Sequence, residues 1–355
     1  MRVAIVNDMP VAIEALQRII QSNPAHKVIW TAKSGEDSVR LCKTETPDVV
    51  LMDLVMPGMS GAQATREIMK VAPCAILVVT ATVAGNFQLV SEAMGNGAYD
   101  AVETPALAHS VTEVSPSASK LLAKLANVDK INQRLRGSRH AHIAITPPLQ
   151  PIMPGNRLVS RLPSLPPLVA IGSSTGGPMA LDAIFTKLGA NFPAAILVAQ
   201  HVGEEFTASL VQWLNERTKL QVMIAKSGDM PQAGTVHVAS TGDHLMLSRD
   251  GTLRYTRDPA DYPYRPSVDV LFNSLVESGC RASLAVLLTG IGNDGAKGLL
   301  RLRQAGWRTI AQDAATCVVY GMPQAAVKLG AAASVLPIDT IAANLEHWLA
   351  HPTAK

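Results

Sequence analysis

Cysteine is sparse in this 355-residue chain. The four that occur, Cys42, Cys74, Cys280 and Cys317, stand far apart with no paired spacing, which excludes a zinc ribbon or a redox dithiol of the usual kind. They are expected to stay reduced and to act as small apolar residues, with Cys317 buried. Aromatic residues supply only 4% of the chain, and neither sign of charge dominates: 31 Lys and Arg against 28 Asp and Glu give a formal net charge of +3. The basic excess gathers between Ala126 and Pro167, as Lys130, Arg134, Arg136, Arg139, Arg157 and Arg161 against Asp129. That stretch is proline-rich, whereas a nucleic-acid-binding module would carry its charge on a folded face beside aromatics or a recognition helix. Nucleic acid is therefore not an expected partner. The amino terminus, MRVAIVNDMP, has only a short apolar run before Asn7, Asp8 and Pro10, too short for a signal peptide or a membrane span. A cytoplasmic protein without membrane insertion is expected.

A chain of this length with 48% hydrophobic residues can bury two cores. No internal repeat of fixed period is seen. From Met1 to about Ala126, short apolar runs (VAIV, KVIW, DVVLMD, AILVVT, YDAVE) alternate with segments of helical spacing, a pattern that predicts a parallel sheet wrapped by helices. A further helical segment, about Ser115 to Arg136, leads into a stretch with seven prolines between Pro147 and Pro167, which predicts an extended linker. A second ladder starts at Leu168, with strand candidates LVAI, AAILVAQ, LQVMIAK, TVHVAS, SLAVLLT, WRTIAQ and ASVLPI. The expected organisation is residues 1–126, a linker over 127–166 whose first part is helical, and residues 167–350.

Ligands of open parallel sheets bind beyond the carboxyl ends of the strands. In the first ladder that edge gathers Asn7 and Asp8, Asp53, Thr80, and Thr104 with Pro105. Two carboxylates there repel unless a hard cation lies between them, and Mg²⁺ held by one or two carboxylates, a backbone carbonyl and water suits the pocket. An Asp beside such a cation can take a phosphoryl group. Either Asp alone reads equally well as a strand-end turn residue.

The second ladder opens with LVAIGSSTGGPMAL. Gly172-Ser173-Ser174-Thr175-Gly176 fits G-x-S-x-G, where small residues let a sharp strand-to-helix turn present the central serine. Backbone N–H groups at the helix start would face a developing oxyanion. An isolated match is more often only a turn. However, AAILVAQ runs into His201, and SLAVLLT runs into GIGNDG with Asp294. In a parallel sheet Ser174, His201 and Asp294 would share one edge as nucleophile, base and orienting carboxylate. Taken singly, His201 reads as a strand-end histidine bonded to backbone, and NDG as a turn. The order Ser, His, Asp also differs from that of α/β-hydrolases, so the pattern does not license that fold.

The first half, with DLVMPGMSG around Asp53, resembles the receiver domain of response regulators. That resemblance implies phosphorylation on Asp53, Mg²⁺ held by Asp8, Asp53 and the Val55 carbonyl, and a switch hydroxyl on Thr80. Two positions depart from it: Asn7 replaces one of two acids, and Thr104 replaces a lysine, which puts the strength of control in question. Over the whole chain, IGSSTGGP, AQHVGEEFT, GDHLML, RPSVDVLF, LTGIGNDGAKGL and QDAATCVVYGMP resemble a chemotaxis-type protein-glutamate methylesterase. The implied fold is two doubly wound α/β domains, a flavodoxin-like receiver with a five-stranded parallel sheet and a larger, mainly parallel esterase domain. The implied reaction has Ser174 attack the γ-glutamyl methyl ester of a methyl-accepting chemoreceptor, with His201 as base, Asp294 orienting it, and Thr175 and the Ile291 N–H at the oxyanion. No cofactor is implied for that chemistry, and a CheA-like histidine kinase is the implied phosphodonor. Receptor glutamine deamidation is an allied activity, and IVNDMP with the missing lysine resembles the Wsp-type surface-sensing branch.

Rival readings stay open at this level. A nucleotide site lacks the G-x-G-x-x-G fingerprint. A transcriptional output module would be shorter, more basic and built on a recognition helix. A protein with the esterase architecture that acts only by binding a receptor or kinase is the third. Asp243 and His244 could line the cleft or form a polar turn.

Overall fold

The structure, a computed structural model, describes residues 1–82, 86–105, 115–138, 165–240, 242–262 and 264–351. Five strands, β1 (Arg2–Val6), β2 (Lys27–Ala32), β3 (Val49–Met52), β4 (Ala75–Thr80) and β5 (Asp100–Glu103), alternate with α1 (Pro10–Gln21), α2 (Gly35–Thr44), α3 (Gly61–Val71) and α4 (Phe87–Gly95), and α5 (Pro116–Ser138) follows. The sheet order is β2-β1-β3-β4-β5, all parallel. The central strands are buried on both faces, which is why β1 and β3 read as unbroken apolar runs and not as alternation. Ser34 caps α2, and Ser60 with Gln63 forms a capping box on α3. Gly61, the first residue of α3, admits no side chain: a β-carbon there would lie 1.9 Å from the Asp53 carbonyl oxygen. Close approach of α3 thus fixes the loop that carries Asp53.

Helix α5 runs unbroken through residue 126, so the expected boundary between first domain and linker falls within a helix. The reason is packing, since Leu121, Leu125 and Val128 lie one below another on the face that covers the first sheet. The proline-rich part of the linker, 139–164, lies outside the described residues.

The second unit comprises β6 (Leu168–Ser173), α6 (Gly177–Phe185), β7 (Ala195–Gln200), α7 (Glu204–Arg217), β8 (Gln221–Ile224), β9 (Thr235–Val238), β10 (His244–Leu247), β11 (Leu253–Thr256), α8 (Val268–Ser278), β12 (Leu284–Leu287), α9 (Ala296–Gln304), β13 (Arg308–Gln312), α10 (Met322–Lys328), β14 (Ser334–Leu336) and α11 (Ile338–Ala350). Its seven-stranded sheet, β14-β13-β12-β6-β7-β9-β8, is parallel throughout, and β10 and β11 form a separate antiparallel hairpin. The chain leaves β6 to one side for β7 and returns on its other side as β12. The crevice at such a reversal is where ligands of doubly wound sheets bind.

The two units share one apolar cluster, which runs from Val78 and Met94 to Leu181 and Ile184 of α6. All four cysteines are free, as expected, and Cys42 is fully buried. One expectation for cysteine is corrected. Cys317 is partly exposed and not buried, since it sits in the loop after β13. Among the described residues no helix is long and apolar enough to cross a membrane.

Candidate active site

Strand β6 ends at Ser173, and the chain turns sharply into α6. The Ser174 N–H donates to the Thr289 carbonyl at 3.0 Å, and the Gly177 N–H returns to the Ser174 carbonyl at 2.8 Å. Gly176 takes the left-handed conformation that the turn requires, with φ of 81°. Gln200, at the end of β7, clamps the turn: its Nε2 donates to the Ser174 carbonyl at 2.8 Å, and its Oε1 accepts from Ser173 Oγ at 2.6 Å. Thr289 Oγ1 donates to the Thr175 carbonyl at 2.9 Å. The small residues of the sequence pattern are therefore a packing requirement of this turn.

The next strand delivers His201 beside it, with the His201 N–H on the Ser173 carbonyl at 3.0 Å. From the other neighbour of β6, the loop after β12 brings Asp294, whose Oδ2 lies 2.8 Å from His201 Nε2. Parallel pairing of β12, β6 and β7 thus gathers all three residues, as the strand-end reading expects. Among buried side-chain atoms, Ser174 Oγ, Thr175 Oγ1 and His201 Nδ1 have no hydrogen-bond partner. One ring nitrogen is committed to the carboxylate and the other is uncommitted, and the serine hydroxyl is equally uncommitted.

Asp294 is 1% exposed, and an unpaired carboxylate there would cost on the order of several kcal/mol. Helix α8 supplies the compensation. Ser267 Oγ and the Asp269 N–H donate to Asp294 Oδ1, both at 3.0 Å, and the Val268 N–H donates to Oδ2 at 2.7 Å. The carboxylate thus sits on the positive end of an 11-residue helix. Burial works to raise its pKa, but the hydrogen bond and charge of His201 and the backbone donors outweigh burial and hold it below the ordinary range. It stays ionised, which fixes Nε2–H as the donor of the neutral imidazole.

Thr175 follows Ser174 directly. The loop of Ile291 lies against the serine, since a β-carbon on Gly290 would be 2.6 Å from Ser174 Cβ. Of the two readings left open for His244, the buried one holds: it is fully buried, and its Nδ1 accepts from the Ser267 N–H at 3.1 Å. Asp243, partly exposed, faces Arg257 at 3.6 Å and Arg265 at 3.9 Å. Tyr264 stacks on His201, and Asp269 receives Tyr262 Oη and the Gly298 N–H. RPSVDV held the only signal for this group: a Ser cap followed by an acid in the first helical turn.

The acidic pocket of the first sheet assembles as expected at the strand ends. Asn7 Nδ2 donates to Asp53 Oδ2 at 3.0 Å, and Asn7 Oδ1 accepts from the Met9 N–H at 2.8 Å. Burial raises the Asp53 carboxyl, the N–H groups of Leu54 and Val55 oppose that, and the Asp8 charge adds to the rise. Two carboxylates that repel across a pocket bordered by the Val55 backbone are a donor set that fits Mg²⁺. Thr80 is 1% exposed, and its Oγ1 accepts from Asn86 Nδ2 at 2.7 Å. The Thr104 N–H donates to the Thr80 carbonyl at 2.7 Å.

The first unit covers the second. Helix α4 packs on α6, where a β-carbon on Gly95 would lie 2.3 Å from Met179 Cγ. Asp100 pairs with Lys124, and its Oδ1 accepts from the Gly203 N–H at 3.4 Å, two residues beyond His201. In this arrangement Ser174 has no exposed surface and His201 has 6%.

A family model described as CheB methylesterase matches residues 169–345, and one described as response regulator receiver domain matches residues 3–114. The curated protein-glutamate methylesterase/protein-glutamine glutaminase 3 of Burkholderia orbicola (strain AU 1054) is 51% identical over 346 residues, 97% of each chain. Protein-glutamate methylesterase/protein-glutamine glutaminase 2 of Burkholderia lata is 49% identical over 353 residues, 99% of each chain. The crystal structure of the Thermotoga maritima CheB methylesterase catalytic domain aligns at 38% identity, covering 51% of this chain and 98% of that one, with a TM-score of 0.48. Identity of this order across nearly the full length of both relatives means that the chain belongs to the protein-glutamate methylesterase/protein-glutamine glutaminase family, with a CheB methylesterase domain behind a response regulator receiver domain.

Proposed function

We propose that this protein removes methyl esters from glutamates of a methyl-accepting chemoreceptor, with Ser174 as nucleophile, His201 as base and Asp294 as orienting carboxylate. The observation that carries this reading is the convergence of an uncommitted Ser174 Oγ and an uncommitted His201 Nδ1 at adjoining strand ends, with Nε2 already held by Asp294. In the first half-reaction Oγ attacks the γ-carbonyl carbon while Nδ1 takes its proton. The tetrahedral oxyanion faces the backbone N–H of Ile291 and the Thr175 end of α6. Collapse expels methoxide, which takes the proton from Nδ1 and leaves as methanol. Water then attacks the γ-glutamyl ester of Ser174, again through Nδ1, and glutamate is released. A receptor glutamine enters the same cycle with ammonia as leaving group.

Residues 1–126 form the regulatory domain, 127–166 the joint and 167–350 the catalytic domain, acting in the cytoplasm on the receptor's cytoplasmic helix. A CheA-like histidine kinase donates the phosphoryl group to Asp53. Asp8, Asp53 and the Val55 carbonyl hold the Mg²⁺, which when bound neutralises charge in that transfer. Phosphorylation relieves the cover that leaves Ser174 buried.

Methanol release from the methylated receptor tests the reading. Ser174→Ala is expected to lower the rate by about four orders of magnitude or more, and Asp53→Ala to abolish stimulation by a small phosphodonor with Mg²⁺. A Ser174→Ala rate equal to that of the intact protein removes the triad. A folded intact protein with no release leaves a receptor- or kinase-binding regulator.

A further inference from the structure

The segment between β11 and α8 takes no direct part in the chemistry above, yet three of its side chains converge on the triad. Ser267 holds Asp294 and Tyr262 donates to Asp269, as described. The third, Tyr264, is 6% exposed and lies flat on the His201 imidazole, with ring centroids 4.5 Å apart and planes inclined by 13°. We propose that Tyr264 is a positioning residue of this active site, whose ring fixes the plane of the His201 imidazole and stabilises the imidazolium formed when Ser174 loses its proton.

The inference rests on the Ser-His-Asp reading and deepens it. The covalent Cβ–Cγ bond and the hydrogen bond at Nε2 fix two points of the ring and leave it free to rotate about the line between them. Aiming Nδ1 at Ser174 therefore needs a further constraint, and a parallel aromatic face supplies it. The same face carries negative π density, which attracts a cation most strongly where water is excluded. The Tyr264 ring is itself held in place: its hydroxyl packs over Gly292, where a β-carbon would lie 2.1 Å away and where φ is 92°. Gly292 adjoins Ile291, so one rigid ring spaces the base from the loop that bears the oxyanion donor.

The charged and titratable groups around the imidazole are otherwise few. Asp294 is on Nε2, Asp269 and Lys297 lie behind it, and His244, Asp243 and Arg265 lie beyond Ser267. Glu204 begins α7, and Tyr99, Asp100 and Lys124 approach from the receiver. Of these, Tyr99 senses the Tyr264 hydroxyl; the Phe and pentafluoro variants below both lack that hydroxyl, so a difference between their titration limbs reports the ring face.

The test uses the full chain, activated by acetyl phosphate with Mg²⁺, and reads methanol release against pH. Tyr264→Leu is expected to lower kcat about tenfold or more, to change KM by less than about threefold, and to move the acid limb of kcat to lower pH. Tyr264→Phe keeps the ring and is expected to recover most of that loss. Pentafluorophenylalanine at position 264 keeps the shape and reverses the charge of the ring face; its acid limb is expected about 0.5 to 1 pH unit below that of the Phe variant. Coincident limbs for the Phe and pentafluoro proteins overturn the proposal whatever the Leu variant does, including failure to fold. Ser174→Ala, run alongside, separates the two levels: a rate equal to that of the intact protein removes the triad itself, whereas an inactive Ser174→Ala with coincident limbs removes only the role of Tyr264.

Discussion

Asp269 lies in the first turn of α8, and its N–H donates to the Asp294 carboxylate that pairs with His201. Burial, and then the charge of Asp294, push its carboxyl from 3.8 up to about 7. A folded state that holds this proton more tightly than the unfolded chain gains stability at low pH, fully below the ordinary carboxylate value, and loses it as pH rises from about 4 through 7. Asp269→Asn keeps the size and an acceptor for the Gly298 N–H but cannot ionise. It is expected to flatten that slope and raise stability at pH 8 by about 1 to 3 kcal/mol. Denaturant titration of both proteins at pH 5 and pH 8 checks this; equal slopes refute it. Gly177 makes a second residue-scale case. A β-carbon there would meet Gln200 Oε1 at 1.9 Å, and Gln200 holds the Ser174 carbonyl. Gly177→Ala is therefore expected to displace the serine turn, cutting kcat by about a hundredfold, since misplacement of about 1 Å can cost that much. Methanol release beside a melting curve distinguishes this from simple unfolding.

Helix α4 is the receiver element packed on α6, and a contact at its start is legible only in three dimensions. Asn86 precedes the helix, yet its side chain makes no cap bond and donates instead to Thr80 Oγ1. If the proposed phosphorylation of Asp53 draws the Thr80 hydroxyl toward it, the start of α4, which packs on α6, is expected to follow. Asn86→Ala removes one hydrogen bond of net worth about 1 kcal/mol. Phosphodonor stimulation should fall about fivefold while phosphoryl incorporation at Asp53 is unchanged; parallel loss of both would show that Asn86 serves the pocket and not the relay. Much of the architecture was readable in the sequence. Buried parallel strands must be apolar on both faces, so β1, β3, β6, β7 and β12 stand out, and a parallel sheet sends their carboxyl ends to one edge. Ser174, His201, Asp294, Asp8 and Asp53 lie at those edges, which is why the sequence reading singles them out. Asn86, Tyr264 and Ser267 do not, because loops deliver them and no periodicity marks a residue that acts through a neighbour's ring or backbone. The helix expected over about Ser115–Arg136 is α5, and its apolar face, with Leu125 and Val128, continues past residue 126 while the composition turns basic.

At the scale of the whole molecule, one valine joins receiver, turn and cover. Val318 is 38% exposed and fills the space between the domains. A β-carbon on Gly97 of the receiver would come within 3.1 Å of its Cγ1, and one on Gly176 of the serine turn within 2.7 Å of its Cβ. Both glycines have positive φ, 113° and 81°, so the chain gives up side chains at both places to let Val318 fit. Its two methyl groups stabilise the closed arrangement by about 1 kcal/mol, from the apolar area they keep from water. The open form of the enzyme does not need them. Val318→Ala is therefore expected to shift the closed-to-open balance about fivefold and to raise methanol release in the absence of phosphodonor by the same factor, while the fully phosphorylated rate changes little. Measuring both rates on one preparation decides it. A rise confined to the unphosphorylated protein makes Val318 part of the cover, whereas equal changes in the two rates would mean that it shapes the serine turn directly and leaves α4 with α6, and Asp100 with Gly203, to hold the domains together.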